Sequence, residues 1–396
     1  MDKKRNVPEI RFAGFTDDWE QRKLGDILSE SRIYGSNGKN ANKLTVKLWG
    51  KGVVAKDDLL QGSEATQYFI RKAGQFIYGK LDFLNQAFGI IPDKLDGYES
   101  TLDAPAFDID TNVNSNFLLE YISRENFYLH YGNLANGSRK AKRVHTNVVL
   151  DMPFIAPSFE EQTAIGNFFK QLDETIDLHQ REYEKYKNLK ISYLEKMFPK
   201  ENEQFPELRF PEFTDAWEQR KLGEIGIFNP HSEIPDIFEY VDLEAVIGTE
   251  LLFHRTENKY TAPSRARRRA KKGDLFYQAV RPYQKNNYLF DLDNENYVFS
   301  TGYIQIRPAI DSYFLLSKVQ EDNFVNIVLE HCTGTSYPAI NSTDLANIEI
   351  KIPKSAEEQT AIGNFFKQLD ETIDLHQREV EKYKQIKQSY LEKMFI

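Results

Sequence analysis

The chain has 396 residues, 40% of them hydrophobic and 28% charged, with a formal net charge of −9. That length accommodates two domains plus a scaffold, and no apolar run reaches the 18 residues of a membrane span. Cys332 is the single cysteine; a disulfide framework is excluded, and a reducing cytoplasm is the expected compartment.

The chain opens with a polar segment followed by PEIRF-x-x-FTD-x-WEQRKLG at 8–25, which returns as PELRF-x-x-FTD-x-WEQRKLG at 206–223. Trp19 and Leu24, like Trp217 and Leu222, read as structural anchors on a short docking helix. Residues 28–155 read as a mixed α/β domain. Its β-type runs are Gln75–Tyr78, Phe88–Ile91 and Val148–Ile155, with a helical stretch near Phe117–Tyr131. The connections Gly35–Lys39 and Gly137–Arg143 are polar and glycine-containing.

Residues 160–182 read EEQTAIGNFFKQLDETIDLHQRE, and residues 357–379 repeat them letter for letter. Ile165, Phe169, Leu172, Ile176, His179, Tyr183, Tyr186, Lys190, Tyr193 and Met197 follow each other in alternating steps of four and three. The second copy gives Ile362, Phe366, Leu369, Ile373, His376, Val380, Tyr383, Lys387, Tyr390 and Met394. That period is a heptad seam. About 39 helical residues make a rod of roughly 58 Å. An apolar stripe that long needs a partner, and the nearest is its own duplicate, so an intramolecular coiled coil is predicted. Ser158 with Glu161, and Ser355 with Glu358, have capping-box spacing. Gly166 and Gly363, one turn in, point to close helix contact. His179 and His376 lie on the seam without a Cys/His cluster, so they are read as register-setting and not as metal ligands.

A polar, proline-flanked linker covers 199–207. Residues 226–352 then repeat the plan of the first domain: KKGDLFYQAVRP at 271–282 lies where KAGQFIYGKLDF lies at 72–83, and Tyr303–Ile306 and Ile348–Ile352 read as strands. The predicted architecture is α/β (α+β), two similar mixed domains on two long helices with pseudo-twofold symmetry. The segments are 1–156, 157–198, 199–207, 208–353 and 354–396. The frame copies are nearly identical while the globular copies have diverged. Two modules doing one kind of job on different targets would show this contrast.

The strongest charge feature is Arg265-Ala-Arg-Arg-Arg-Ala-Lys-Lys272. Arg265, Arg267, Arg268, Arg269, Lys271 and Lys272 read as a basic loop. Gln278, Arg281, Tyr283, Gln284, Lys285, Asn286 and Asn287 follow. Cations neutralise phosphates, Arg forks onto guanine, and Gln or Asn bridges adenine edges. The first-domain candidates are Lys39, Asn40, Lys43, Lys80, Asn85, Gln86, Arg139, Lys140, Lys142 and Arg143. No catalytic residues or metal ligands are assigned. The chain lacks a phosphate-binding G-x-x-x-x-G-K-[ST] loop, an Asn/Asp-Pro-Pro-aromatic tetrapeptide and a metal-binding carboxylate cluster.

The order globular domain, long helix, globular domain, long helix resembles the specificity subunit of Type I restriction–modification enzymes. So does the run of Ile, Pro, Glu-Gln, Ile and Leu-Asp over Ile155–Asp173 and, with its proline shifted by one position, over Ile352–Asp370. Ala156 stands at the position of Pro353. The resemblance covers essentially the whole chain. It implies two target-recognition domains, each reading half of an asymmetric bipartite DNA sequence. It also implies two antiparallel helices that space them and bind two modification subunits. Those partners would carry S-adenosylmethionine and methylate adenine, with separate restriction (motor/nuclease) subunits. This chain itself would be non-catalytic and without a cofactor. The competing expectation is a cytoplasmic coiled-coil adaptor for two protein partners; a steep fall of DNA affinity with salt separates the two.

Overall fold

The computed structural model describes residues 6–39, 41–56, 66–133, 143–334 and 336–396. These fall into two compact units, residues 1–179 with 379–396, and residues 180–378.

The first unit is built on an antiparallel four-stranded sheet in the order Leu28–Ser31, Ala106–Ile109, Phe76–Tyr78, Phe88–Ile90. Phe76, Tyr78 and Phe107 are fully buried on it. Helices α1 (Ser115–Ser123), α2 (Glu125–Asn133) and α3 (Thr146–Asp151) follow, and then the long helix α4 (Phe159–Lys196). The single helix expected near Phe117–Tyr131 is broken at Arg124, whose extended backbone (φ −63°, ψ 130°) ends α1. The β-run expected over Val148–Ile155 is instead α3 plus the strand Pro153–Ala156. Pro153 forces the residue before it out of the helical region, and Met152 is extended.

Glu20–Lys23 is also a strand, not the expected docking helix. It pairs antiparallel with Pro153–Ala156, and Glu218–Lys221 pairs with Glu349–Ile352 in the same way. The ladder satisfies backbone groups that a four-residue helix would leave open. The anchors are buried as expected: Trp19 2% exposed, Trp217 4%, Leu24 and Leu222 0%.

The second unit repeats the central sheet, in the order Gly226–Phe228, Tyr303–Pro308, Leu275–Gln278, Tyr288–Leu289. Helices α5 (Ser312–Gln320), α6 (Asp322–Glu330), α7 (Ser342–Asn347) and α8 (Ala356–Lys393) complete it, the end of α8 lying in the first unit. The units differ outside this common plan. The first has three short strands, Ile33–Tyr34, Phe69–Ile70 and Glu99–Ser100, plus a separate pair, Leu44–Val46 with Val53–Ala55. The second has a full four-stranded sheet, Arg255–Asn258, Ile237–Val241, Tyr297–Ser300 and Ala266–Arg269.

Each long helix is latched to the globular part of its unit by the repeated Glu-Glu-Gln. Glu161, 1% exposed, accepts from Arg11 Nε and Nη2 at 2.6 and 2.7 Å. Glu358, 2% exposed, accepts from Arg209 at 2.7 and 2.8 Å and from Trp217 Nε1 at 3.1 Å. Gln162 donates to the Pro157 carbonyl at 2.9 Å and accepts from the Asn114 amide at 3.1 Å; Gln359 donates to the Pro353 carbonyl at 2.9 Å. Asn114 and Asp311 are the N-caps of α1 and α5. A Cβ on Gly166 or Gly363 would run into those caps, so the predicted close contact is made to α1 and α5. The capping boxes are half formed. Ser158 and Ser355 accept from the Glu161 and Glu358 amides at 3.4 and 3.2 Å. The glutamate side chains, however, go to arginine, because a bidentate charged pair outweighs one bond to an amide.

Along the seam the two helices run antiparallel within each unit. In the first, Ile165, Phe169 and Val380 are buried and Leu172, Ile176 and Tyr383 half-buried. In the second, Ile362, Phe366 and Leu369 are buried and Ile373, Tyr183 and Tyr186 half-buried. His179 stacks on Tyr383 with ring centres 5.7 Å apart, and His376 stacks on Tyr186 at 5.7 Å. The helix ends close the cores: Phe395 lies 5.2 Å from Phe117 and 5.8 Å from Phe169, and Phe198 lies 5.6 Å from Phe314 and 6.0 Å from Phe366. No helix among the described residues is long and apolar enough to cross a membrane.

Lys387 is clamped by Glu120 at 2.9 Å and Asp173 at 2.7 Å. Its counterpart Lys190 pairs with Asp370, which also accepts from the Tyr313 hydroxyl at 2.8 Å. Burial is the main force pushing the Glu120 carboxyl up to about 7; Lys387 opposes it and Asp173 adds to it.

Two outcomes follow from these contacts. Glu358→Ala leaves Trp217 Nε1 without an acceptor and the Arg209 guanidinium without its counter-charge, with only the Asp215 carbonyl remaining. It should therefore lower the stability of the second unit by about 3–5 kcal/mol. Hydrogen exchange resolved by unit measures this; unchanged protection there would remove the latch from the stability account. A raised carboxyl stabilises the fold while protonated. The Glu120 contribution is therefore full below the ordinary value of 4.5 and lost as pH rises through about 7. Urea midpoints of the wild type should fall across that window, and Glu120→Gln should flatten the fall.

Candidate nucleic-acid interface

Of the six cations of 265–272, Arg267, Arg268 and Arg269 lie on a strand and not on the expected loop, while Arg265, Lys271 and Lys272 lie beside it. Ala266–Arg269 is an edge strand whose only neighbour in its sheet is Tyr297–Ser300, with an irregularity between Ala266 and Arg268. The sequence suggested a loop because four arginines carry no apolar alternation; the ladder to a buried strand supplies the order instead. The pleat then sorts the cations. Arg265 and Arg267 are exposed, and Arg268 and Arg269 half-buried. Arg268 Nε has no partner among the described residues, and burial lowers its pKa. Arg269 donates to the Glu233 carbonyl at 3.3 Å, and Arg267 Nε to the Ser264 carbonyl at 3.0 Å. Lys271 is exposed; Lys272 is too, but it is held by Asp293 at 2.7 Å, the hydrogen bond that chiefly raises its pKa, with Asp291 at 3.8 Å.

Downstream, several predicted readers build the turn rather than protrude from it. Gln278 is buried. Its side chain donates to Gln284 at 2.8 Å and accepts from the Asn286 amide, while Asn287 accepts from the Gln278 amide at 2.8 Å. Asn286 accepts from the Gly248 amide, and Lys285 is held by Asp322 and the Gln320 carbonyl. This network fixes a 3-10 turn, Pro282–Gln284, between left-handed Arg281 and Lys285. Tyr283 and Gln284 are exposed, Gln284 with its oxygen bonded to Gln278, and Arg281 is half-buried. The Arg281 guanidinium lies 4.4 Å from the ring centre of Tyr337, a 63% exposed residue the sequence reading passed over. The aromatic between Gly334 and Pro338 was the available signal.

In the first unit the same turn recurs as Phe83–Asn85 before left-handed Gln86. Asn85 donates to Asp82, and Gln86 to the Tyr128 hydroxyl at 2.9 Å, so both support the turn. Lys80 and Arg143 meet at Asp103: Lys80 donates its amide to the Asp103 carbonyl, and Arg143 reaches the carboxylate at 2.6 Å. Burial lowers the Lys80 pKa. Lys43 is buried, 5.6 Å from the Tyr68 ring centre, while Lys39 is exposed. Asn40, Arg139, Lys140 and Lys142 lie outside the described residues. A second feature the sequence reading missed adjoins this turn: the tip Lys47-Leu-Trp-Gly-Lys-Gly52, with Trp49 62% exposed. Its signal was an aromatic among lysines and glycines.

The outward set is thus cations on and beside an edge strand, with Arg281, Tyr283, Gln284 and Tyr337 at the second unit's turn, a composition suited to phosphates and base edges. A sequence profile described as the Type I restriction modification DNA specificity domain matches residues 257–387, which include that strand and the second turn. The chain is similar to the Type I restriction enzyme HindI specificity subunit of Haemophilus influenzae, 26% identical over 194 residues, 46% of this chain and 41% of that one. It is also similar to the Type I restriction enzyme MjaVIII specificity subunit of Methanocaldococcus jannaschii, 24% identical over 272 residues, 63% of this chain and 62% of that one. The chain thus spans less than two thirds of the length of either relative. In fold it matches the crystal structure of a Type I restriction-modification system S subunit from M. genitalium. The TM-score is 0.64 at 14% identity, over 98% of this chain and 99% of that one.

The sorting of cations has a measurable result. Removing Arg265, Arg267 and Lys271 together should lower the salt slope of polyanion binding by about 3, roughly one per contact. Lys272→Ala should change it little, because two aspartates already neutralise that lysine. Heparin titrations at several salt concentrations decide this, and equal slopes for the two variants would refute the sorting.

Proposed function

We propose that this chain, which carries the Type I restriction modification DNA specificity domain over residues 257–387, is the DNA-recognition subunit of a Type I restriction–modification complex. That match carries the proposal, and the paired units support it. Each unit presents a rigid turn in the same place on the same central sheet. The two differ in the second sheet, so they suit two different half-sites. The target is then bipartite and asymmetric.

The long helices space the two readers and bind two methyltransferase subunits, with restriction subunits in the complete assembly. Their exposed faces remain available because each helix is held by one narrow stripe. The chain contributes no catalytic group. Methyl transfer from S-adenosylmethionine to adenine, and DNA cleavage, belong to the partners. Arg265, Arg267 and Lys271 position the duplex by its phosphates, and Arg281, Tyr283 and Gln284 face base edges.

The test is a methylation map. The chain is expressed with its modification subunits in a methylation-free host, and N6-methyladenine is read across the genome. One asymmetric gapped motif is expected, one half of which changes when residues 226–352 are exchanged for those of another specificity subunit. A stably assembled complex that leaves the DNA unmethylated would reject the reading in favour of a protein adaptor.

A further inference from the structure

The tip at Lys47–Gly52 is spent on an unfavourable conformation. Trp49 has φ +60°, in the left-handed region that side chains avoid and glycine enters freely. Gly50 and Gly52 beside it have φ +66° and +73°. A glycine at 49 would be the relaxed choice, yet the position holds the largest side chain, 62% exposed to solvent. Packing does not explain it. Strain of this kind gathers where function fixes the backbone.

The tip is held rigidly. Its two strands, Leu44–Val46 and Val53–Ala55, bury Leu44 and Val53 in a core with Ile77, Ile91, Leu95 and Ala106. The Trp49 amide donates to the Asn85 carbonyl at 2.7 Å, and the Gly50 amide to the Gln86 carbonyl at 3.1 Å. Those carbonyls belong to the first unit's counterpart of the turn that carries Arg281, Tyr283 and Gln284 in the second. Lys47 and Lys51, two residues before and after Trp49 in the chain, are exposed. An exposed aromatic with a lysine two residues to either side, tied to that turn by two backbone bonds, suits a duplex in shape and charge. The cations take phosphates on either side, and the ring enters the base stack.

We infer that Trp49 is a wedge that inserts at a base step of the DNA bound by the first unit, between phosphate contacts made by Lys47 and Lys51. The inference rests on the DNA-recognition reading above and adds a residue, a mode of contact and a consequence. A wedge partly unstacks one step and kinks the duplex, so flexible pyrimidine–purine steps are favoured at that position without any hydrogen bond to them.

The sequence makes the test clean. The chain has three tryptophans, and Trp19 and Trp217 are buried at 2% and 4%. Acrylamide-quenchable emission therefore reports Trp49. Full-length chain is titrated with a fluorescein-labelled duplex carrying the mapped motif, following anisotropy and indole emission together. Wild type should bind with strong quenching of the exposed indole. Trp49→Gly should keep or raise the melting temperature, since strain is relieved, while losing about tenfold or more in affinity, the scale of one base–aromatic contact. Trp49→Tyr should retain most of it. Lys47→Ala with Lys51→Ala should lower the salt slope by about 2. Wild-type binding with unquenched emission and an unaffected Trp49→Gly variant overturns the wedge and leaves the recognition reading intact. Loss of assembly with the methyltransferase subunits in Trp49→Gly, at unchanged DNA affinity, overturns it in favour of a protein contact. No binding by wild type overturns both.

Discussion

A buried ion pair at the start of each long helix holds the architecture together. Arg11 and Arg209 arrive from the PE[IL]RF segments, and Glu161 and Glu358 from the first helical turn. Each carboxylate is almost wholly removed from water, a state tolerable only with a bidentate partner. The pair therefore fixes three things in one place: the incoming chain, the helix start and, through Gln162 or Gln359, the helix that follows the central sheet. Because the arginine–glutamate pair and the glutamine bonds recur in both units, the letter-for-letter repeat reads as a preserved set of distances. The bond from Trp217 Nε1 to Glu358 is confined to the second, since Trp19 Nε1 has no partner among the described residues. The globular parts can differ because few of their residues take part in it.

The frame was legible in the sequence for that reason. The heptad spacing places Ile165, Phe169, Ile362 and Phe366 on a buried face, and the anchors Trp19, Leu24, Trp217 and Leu222 are buried. Local signals failed where tertiary partners decided. Glu20–Lys23 has no strand pattern of its own; its ladder is drawn by Pro153–Ala156, far along the chain. Glu161 has capping-box spacing, and an arginine 150 residues upstream captures its side chain. Such competition is invisible to a reading that looks three residues ahead.

The candidate interface was less legible still. A run of cations announces charge but not which members point outward. That is set by the pleat at Ala266–Arg269 and by acids such as Asp293, neither of which the run encodes. Polar residues after a strand looked like readers, but Gln278, Asn286 and Asn287 use their side chains to hold the backbone and neighbours of the turn. Trp49 escaped notice because one aromatic in a loop is unremarkable until its backbone angle and exposure are known.

The identity of residues 160–182 and 357–379 also bears on heredity. The two identical stretches flank the second globular part, so a recombination that joined one to the other would excise it and fuse the start of α4 to the end of α8 in one continuous rod. The shortened product would keep Arg11, Glu161 and the whole first reading surface. It would lack the returning helix that now brings Tyr383 against His179, Lys387 against Asp173 and Phe395 against Phe169, because that stretch would run onward instead. Its apolar stripe would stand bare until a second molecule of the same product lay alongside. Two such molecules would carry one kind of globular part twice, and under the proposed recognition role the asymmetric target would become a palindromic one.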